Sequence, residues 1–405
     1  MPLYPKGSGE EGSPHPSAGN SQFVFSLLRN PEILFLVAAA SSALIGLLVT
    51  PLVRMLALRA NFIDHPGERK IHSAPIAYGG GIAVALSALL AVGAVLYYKD
   101  TNLTLWRSQE DLHPGLTLWI LAAAALGALA LGLIDDKFKL SPYTKLAGQA
   151  VLAIAVVAGG VRITAFIGDN LVMQTVTVIW IVLITNSFNL LDNMDGLCSG
   201  TVAIAAAMLG LVAMESSQWN LMIVLAALCG ACLAFLRYNF SPATIFLGDG
   251  GSLFVGFVMA CCTVMVTYYR ASRPSHMAIG IPLLILAIPI YDTLSVILIR
   301  LKERRPLMRG DNSHFSHRLV DLGMTRRQAV ATIHLACLAI GLPATVLVQF
   351  TGEQERYGLL IVGQALLVLT IVALLERAGR NRAEKTPASK IETPEMDEHE
   401  HNRPR

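Results

Sequence analysis

The feature that most constrains this chain is a series of long apolar segments that carry almost no charge. A helix needs about 20 apolar residues to cross the hydrocarbon core of a bilayer. About eleven segments of the 405-residue chain approach this length. They lie near residues 33–53, 79–98, 115–134, 145–161, 172–190, 197–214, 219–236, 251–269, 277–299, 328–350 and 357–376. Since 54% of the residues are hydrophobic and only 15% are charged, the sequence predicts an all-α, polytopic integral membrane protein with about eleven transmembrane helices.

Both ends of the chain differ from this apolar body. Residues 1–30 are polar and rich in Gly, Ser and Pro, and residues 379–405 are charged and have no periodic apolar face. Segments of such composition do not bury enough apolar surface to fold. We therefore expect two disordered tails, 1–30 and 379–405, on either side of one transmembrane domain at 31–378.

The distribution of basic residues predicts the orientation. With eleven spans, the loops and tails form two alternating sets, and one set holds 23 of the 31 Lys and Arg residues. Because cytoplasmic loops are the ones enriched in Lys and Arg, this set is placed in the cytoplasm and the N-terminus outside. Every polar cluster that a solvated loop does not explain falls on the same side, which predicts one cytoplasmic site.

Three acids in these clusters are typical of a divalent-cation site. Asp135 and Asp136 are adjacent in "GLIDDKFKLSPYTK", and Asp249 lies in "GDGGS". Adjacent carboxylates repel unless a cation lies beside them, and carboxylate oxygens without nearby Cys or His suit Mg²⁺ or Mn²⁺. The glycines around Asp249 allow backbone N–H groups to approach a phosphate. Each motif alone also fits an ordinary solvated loop or turn, but together they favour a metal and phosphate site.

Five amide and carboxylate residues follow the apolar run that precedes residue 186. Asn186, Asn189 and Asn193 have the i, i+3, i+7 spacing of one helix face. Asp192 and Asp195 lie on an adjacent face of the same helix, which we expect to extend to residue 195. Such side chains recognise donors and acceptors on a base or a sugar. A helix end in water accounts for one or two of these residues but not for all five.

A basic loop follows the ninth predicted span. His314 and His317 share one face of this loop, with Arg318 beside them. This positive face suits an anionic phosphate, whereas a zinc site needs two further ligands that the neighbouring sequence does not supply.

The ninth predicted span contains two prolines, Pro282 and Pro289, and one acid, Asp292. Prolines kink a transmembrane helix and free backbone carbonyls. The bend predicts either a groove for a lipid chain or a kinked packing helix, and the sequence does not separate the two.

Together these motifs resemble those of the polyprenyl-phosphate N-acetylhexosamine-1-phosphate transferases. The family's aspartate pair is matched at 135–136, its N-x-x-N-x-x-D-x-x-D-G pattern at 186–196, its G-D-x-G-S at 248–252 and its histidine loop at 314–319. The motifs occur in the family's order over roughly residues 33–376. Two positions depart from the family pattern. Asn193 replaces a Gly, and Ser316 replaces the middle His of H-x-H-H.

The resemblance implies a reaction and a set of site residues. N-acetylglucosamine-1-phosphate would pass from UDP-N-acetylglucosamine to undecaprenyl phosphate, with UMP as the second product and Mg²⁺ (alternatively Mn²⁺) as the cofactor. The implied catalytic and metal-binding residues are Asp135, Asp136 and Asp249. The implied substrate-binding residues are Lys70, His72, Asn186, Asn189, Asp192, Asp195, Asn239, Phe246, His314, His317 and Arg318.

The choice of donor rests on "RKIHSAPIAYGGG" at 69–81, which resembles the N-acetylglucosamine branch of the family. Another UDP-N-acetylhexosamine or a phospho-MurNAc-pentapeptide donor is the alternative. Such an enzyme would lie in the bacterial inner membrane with a polyprenyl phosphate as its partner. No nucleic-acid partner is expected, and the sequence leaves a homodimer open.

Two mechanisms and one rival class stay open. A phosphate monoester has a second pKa of about 6, so the lipid phosphate is largely dianionic at neutral pH and direct attack is favoured. The alternative is a two-step route through an aspartyl-phosphate. A membrane transporter is the rival class, but transporters place acids near the bilayer centre and between internal repeats.

Overall fold

The computed structural model describes residues 30–65, 75–102, 114–161, 163, 171–266, 277–306 and 314–385. The helices are α1 (Pro31–Arg59), α2 (Gly80–Asn102), α3 (Pro114–Phe138), α4 (Pro142–Ala158), α5 (Leu171–Leu191), α6 (Leu197–Glu215), α7 (Trp219–Asn239), α8 (Gly248–Met265), α9 (Ile281–Ile285), α10 (Ala287–Lys302), α11 (Phe315–Asp321), α12 (Arg326–Ala344) and α13 (Glu355–Lys385). Short 3-10 helices lie at Met277–Gly280, Thr345–Gln349 and Gly352–Gln354. Two-residue strands β1 (Ile63–Asp64) and β2 (Ile76–Ala77) pair antiparallel.

Nine helical segments in the described parts of the chain are long and apolar enough to cross a membrane. The chain is therefore an all-α, multi-pass membrane protein, as predicted. The two other predicted spans differ in form, since α4 has only 17 residues and the ninth span is divided into α9 and α10. Pro289 has no N–H to donate, and in a continuous helix its ring would clash with the carbonyl of Ile285, the last residue of α9. The kink expected in this span is confirmed.

Three helices form the centre of the bundle. In α6, α7 and α8, between 72% and 78% of the membrane-crossing segment is buried within the protein, against 28% in α1 and 17% in α13. Helix α8 packs against α2, α3 and α5, and α7 packs against α1, α2 and α6. Helix α12 packs against α6, and α13 packs against α11 and α12. The outer helices expose leucines such as Leu48 and Leu360, as side chains facing lipid do.

The β1–β2 pair aligns the start of α2 with the segment before α8. Ala77 in β2 also forms a parallel bridge with Ile245. Phe246 donates its backbone N–H to the carbonyl of Ala77 (2.9 Å), and Gly80 donates to the carbonyl of Phe246 (3.0 Å). Phe246 is thereby held directly before α8.

Helix α5 ends earlier than the sequence predicts. It stops at Leu191, so Asn193 and Asp195 lie in the turn before α6 and not on a helix face. The expectation of one helix face through residue 193 is therefore wrong. The side-chain amide of Asn193 donates to the carbonyl of Leu190 (2.8 Å), and such a local bond competes with helix continuation.

The last helix continues beyond the predicted domain boundary. Helix α13 runs to Lys385, whereas the C-terminal tail was expected to begin at residue 379. Residues 1–29 and 386–405, which make up most of the predicted tails, lie outside the described residues.

Candidate active site

Four helix ends meet at one face of the bundle. The C-terminal ends of α3 and α5 carry Asp135 and Asn189, and the N-terminal ends of α4 and α8 carry Lys145 and Asp249. Their side chains are in direct contact. The prediction that separate motifs gather on one face is confirmed for these residues.

Close helix packing by glycine holds the first turn of α8 against α3. A Cβ added to Gly132 would collide with the backbone of Asp249 and Gly250. This close approach lets the Asp136 carboxylate accept the backbone N–H groups of Asp249 (2.8 Å) and Gly250 (3.0 Å). Asp136 thus caps α8 as an N-cap residue does, although it lies on another helix. Gly248 begins α8 with a φ of 74°, a left-handed conformation that favours glycine.

Lys145 lies between two carboxylates. Its Nζ is 2.8 Å from Oδ2 of Asp135 and 2.7 Å from Oδ1 of Asp249. The Asn189 amide donates to the same Oδ1 of Asp249 and to the hydroxyl of Ser252 (2.9 Å). The side chain of Asp135 is only 9% exposed, whereas that of Asp249 is 34% exposed. Asp249 is therefore oriented by two donors and remains accessible from outside.

The turn between α5 and α6 is fixed by residues from α7 and the loop after it. Buried Asn239 accepts the backbone N–H of Gly196 (3.0 Å) and donates its amide to the carbonyl of Ile245 (3.0 Å). Asp195 accepts the backbone N–H of Ala243 (3.0 Å). Both polar atoms of the Asn239 side chain thus bond to the protein. Asn239 therefore positions this turn, and its predicted contact with substrate stays a prediction.

Two other predicted substrate residues lie beside these groups. Asn186 in α5 exchanges hydrogen bonds with the buried Gln149 of α4 and donates to the carbonyl of Val182 (2.8 Å). The ring of Phe246 lies 6.2 Å from the ring of Tyr78, centroid to centroid. The structure thus places both residues on the elements that build the site.

Four carboxylates form what we call the aspartate cluster: Asp135, Asp136, Asp192 and Asp249. Burial, and then the negative charges of Asp249 and Asp136, raise the pKa of Asp192 well above the usual carboxyl range. Lys145 compensates part of the negative charge of the cluster. The remaining charge favours a bound cation.

The donor chemistry of the aspartate cluster fits Mg²⁺. This ion prefers carboxylate oxygens, binds through one or two of them, and fills its other positions with water and phosphate. In the described part of the chain, no three His, Cys, Asp or Glu side chains stand together as a protein ligand set. Of the three predicted ligands, Asp136 is bonded to α8 and Asp135 is buried, so Asp249 is the residue best placed to hold an ion with few protein ligands.

A second group of charged residues lies where α10, α11 and α13 meet. We call it the histidine network: Asp292, His314, Arg318 and Glu376, each no more than 5% exposed. One oxygen of Asp292 is 2.9 Å from Nδ1 of His314, and the other accepts the backbone N–H of Phe315 (2.7 Å). The Arg318 guanidinium donates to Glu376 (2.7 Å). Asp292, the acid of the ninth predicted span, therefore holds α11 together with His314 at its start; we call α11 the histidine helix.

His317 differs from His314 in its surroundings. It is half-buried, and burial together with the positive charges of His314 and Arg326 lowers its pKa below the usual histidine value. The guanidinium of Arg318 donates to Ser295 (2.8 Å) and Glu376 (2.7 Å), and its role in substrate binding stays a prediction.

The two positions that depart from the family pattern contact each other. The hydroxyl of Ser316 donates to the side-chain carbonyl of Asn193 (2.5 Å). Ser316 is buried at the start of α11, and Asn193 lies in the turn after α5. Their hydrogen bond joins the histidine helix to the turn that carries Asp192 and Asp195.

Sequence reasoning assigned no role to three residues that the structure brings into these groups: Lys145, Gln149 and Glu376. Glu376 had a recognisable signal, since an ionisable residue in an apolar segment is costly without a partner. Lys145 ends the stretch that matches the family's aspartate-pair motif but was given no role, and Gln149 had no such signal. Lys70 and His72, two predicted substrate residues, lie outside the described residues.

The fold and the site together define a polytopic membrane protein with a carboxylate-rich polar site at one face of its helix bundle. Residues 118–267 match the model of glycosyl transferase family 4. This range contains the whole aspartate cluster, whereas the histidine network follows it in the chain.

Relatives extend the likeness over most of the chain. It is 31% identical over 329 residues, 79% of this chain and 87% of the relative, to the probable undecaprenyl-phosphate N-acetylglucosaminyl 1-phosphate transferase of Bacillus subtilis. It is 29% identical to the decaprenyl-phosphate N-acetylglucosaminephosphotransferase of Mycobacterium leprae, over 83% of this chain and 89% of the relative. It is 25% identical to the undecaprenyl-phosphate alpha-N-acetylglucosaminyl 1-phosphate transferase of Escherichia coli K12, over 79% and 83%. The chain belongs to glycosyl transferase family 4.

Proposed function

We propose that this protein transfers N-acetylglucosamine-1-phosphate from UDP-N-acetylglucosamine to undecaprenyl phosphate. The observation that carries the proposal is the meeting of Asp135, Lys145, Asn189 and Asp249 at one face of a membrane-embedded bundle. A site there reaches both a water-soluble nucleotide sugar and a lipid whose phosphate lies at the membrane surface. The names of the relatives support the same donor sugar and a polyprenyl phosphate acceptor.

The reaction needs positioning of two anions more than covalent work by the protein. An oxygen of the lipid phosphate attacks the β-phosphorus of the UDP-sugar, and the bond from that phosphorus to the bridging oxygen breaks. UMP leaves with the bonding electrons, and the lipid diphosphate keeps the sugar. Lys145 offers positive charge beside Asp249, and Asn189 keeps the Asp249 carboxylate oriented.

Direct attack is the simpler route in this geometry. As a covalent nucleophile, Asp136 would have to give up the backbone N–H groups of Asp249 and Gly250 that it accepts. Asp135 is buried against Lys145. Neither carboxylate is arranged as a free nucleophile, which favours a one-step transfer over an aspartyl-phosphate.

We further propose that Asp249 is the main protein ligand of Mg²⁺, and that water and phosphate oxygens fill the other positions of the ion. The bound ion would neutralise diphosphate charge and stabilise the leaving UMP. The placement is supported by the 34% exposure of the Asp249 side chain and by its orientation by Lys145 and Asn189.

The membrane setting completes the proposal. The Lys and Arg distribution supports a cytoplasmic site in the bacterial inner membrane, where a UDP-sugar is available. A transporter is disfavoured, because its acids would line a path near the bilayer centre. Here the acids of the aspartate cluster lie at helix ends, and Asp292 is paired with His314.

The test uses purified full-length protein in detergent with undecaprenyl phosphate and Mg²⁺, and measures UMP release from a panel of UDP-sugars. Release with UDP-N-acetylglucosamine alone is the expected result. Release only with a muramoyl-pentapeptide or N-acetylgalactosamine donor would keep the reaction class and refute the donor. Intact protein that releases no UMP from any donor would refute the proposal.

A further inference from the structure

The last membrane helix contributes a buried acid to the histidine network. Glu376 in α13 is 2% exposed. One of its carboxylate oxygens accepts a hydrogen bond from the guanidinium of Arg318 (2.7 Å), and the other accepts one from the hydroxyl of Tyr291 (2.8 Å). A carboxylate this deep in an apolar bundle is tolerated only when it is paired, and here both oxygens have partners.

Arg318 connects this acid to α10. Its Nη2 also donates to the hydroxyl of Ser295 (2.8 Å) and lies 4.0 Å from Oδ1 of Asp292. Asp292 and Glu376 are therefore two acids that face one guanidinium. As long as Glu376 holds Arg318, the carboxylate of Asp292 remains free to bond His314 and the backbone of Phe315.

Asp292 in turn sets the state of the histidine. Because an ionised carboxylate only accepts hydrogen bonds, Nδ1 of His314 carries the proton that faces Asp292. The other ring nitrogen, Nε2, is then directed away from Asp292. The same carboxylate caps the first backbone N–H of α11 through Phe315. One acid thus fixes both the ring and the helix that carries it.

We propose that Glu376 is a positioning residue for the histidine helix, acting through Arg318 and Asp292. This role rests on the proposed function, with His314 as one of the substrate-binding residues that the family resemblance implies. Without the negative charge of Glu376, Arg318 loses its closest acid partner and is drawn towards Asp292, which already lies 4.0 Å away. Asp292 then divides its oxygens between Arg318 and His314, and the ring loses its fixed orientation.

The experiment compares three variants of the full-length protein in detergent. Glu376→Gln keeps the shape and removes the charge, whereas Glu376→Asp keeps the charge and shortens the side chain. Val372→Ala, one turn earlier in α13 at another buried position, is the matched control for loosened packing. Each variant is assayed for kcat/KM of UMP release and for amide hydrogen exchange in residues 314–321.

We expect Glu376→Gln to lower kcat/KM on the order of 100-fold, the loss that follows a misplacement of about 1 Å. Exchange in residues 314–321 should become faster in this variant. Glu376→Asp should retain more activity than Glu376→Gln, and Val372→Ala should keep wild-type activity and exchange in that segment. If Glu376→Gln were as active as Glu376→Asp or more active, side-chain shape and not charge would matter, and the proposal would be overturned. Unchanged exchange in Glu376→Gln would also overturn it.

A milder variant covers the case in which Glu376→Gln does not fold. Tyr291→Phe removes one donor to Glu376 and keeps the ring, which packs edge-on against Phe315 with centroids 6.3 Å apart. It should speed exchange in residues 314–321 to a smaller extent, and wild-type exchange in it would count against the proposal. Because exchange is read without substrate, it tests the positioning role even where wild-type protein releases no UMP and the proposed function itself fails.

Discussion

The aspartate cluster and the histidine network use buried charge in opposite ways. In the aspartate cluster, Lys145 pairs with only two of the four carboxylates, Asp135 and Asp249, and the Asp249 side chain is 34% exposed. In the histidine network, the acids Asp292 and Glu376 face a guanidinium and an imidazole, and all four residues are at most 5% exposed. The first group has surplus negative charge and an opening, whereas the second is compensated and closed.

This difference separates residues that meet a ligand from residues that hold others in place. Uncompensated negative charge is energetically costly near a membrane. A bound cation or a charged substrate group would neutralise it and so explain why it is kept. A closed ion-pair network adds little stability over apolar packing, but it fixes one arrangement of the groups that it joins. We therefore assign the metal and transfer chemistry to the aspartate cluster, and to Asp292, Arg318 and Glu376 of the histidine network the alignment of His314.

The largest expected effect is at Asp249. Asp249→Asn keeps the side-chain shape but removes the charge that faces Lys145 and the proposed ion. We expect Mg²⁺-dependent UMP release to fall at least about 1000-fold, since charge stabilisation in the transition state is the main contribution in such a site. UMP release is measured over a range of Mg²⁺ concentrations.

Exposed Asp321→Asn at the end of α11 is the control, because it changes the same group outside both clusters. Near-normal turnover in Asp249→Asn would remove the metal assignment. It would also break the contrast between the two groups, since Asp249 would then be as structural as Asp292.

The next effect tests the packing that builds the aspartate cluster. In Gly132→Ala, the new methyl group meets the backbone of Asp249 and Gly250, which cannot turn aside as a side chain does. We expect a loss of about 1–3 kcal/mol in unfolding free energy from overpacking, with a loss of activity because Asp136 no longer reaches α8. Thermal unfolding and UMP release are measured together.

Gly93→Ala is the matched control, since nothing lies within 4 Å of a Cβ added there in α2. That change should leave activity intact and stabilise its helix by about 0.5–1 kcal/mol. Equal behaviour of the two variants would contradict the close α3–α8 contact.

A smaller effect concerns the bond that joins the two groups. The side chains of Asn193 and Ser316 together have as many non-hydrogen atoms as one histidine. Ser316→His alone overfills a buried position, and we expect about a tenfold lower kcat/KM. Adding Asn193→Gly frees the space and should restore most of the activity, a coupling within the usual range of about 0.5–3 kcal/mol for contacting residues. Additive effects in the double variant would show that the two positions do not act together.

The sequence was sufficient for the parts that depend on composition and local chemistry. Apolar length predicted the spans, Pro289 predicted the break in the ninth span, and Asp135, Asp136 and Asp249 lie together as expected. It was not sufficient for contacts between distant helices. Asp136 can cap α8 only because Gly132 lets α3 and α8 approach closely. The two hydrogen-bonded residues, Asp136 and Asp249, are 113 positions apart in the sequence. The early end of α5 likewise follows from the bond that Asn193 makes to its own backbone, which spacing alone does not reveal.

The smallest effect sharpens the comparison through pH. Because burial and the neighbouring carboxylates raise the pKa of Asp192 well above the usual value of 3.8, the folded protein keeps a proton that the unfolded chain has already lost. The free energy of unfolding therefore falls as pH rises from about 4 to the raised pKa. Asp192→Asn removes this penalty, so we expect a higher thermal midpoint than wild type at neutral pH, equal midpoints below about pH 4, and lower activity.

Thermal midpoints in detergent between pH 4 and 8 check this, with exposed Glu32→Gln at the start of α1 as the control. A variant less stable than wild type at neutral pH would mean that Asp192 is held by compensating contacts, as Asp292 is. The aspartate cluster would then no longer be the group with uncompensated charge. A more stable but less active variant would locate the cost of function in that cluster and not in the histidine network.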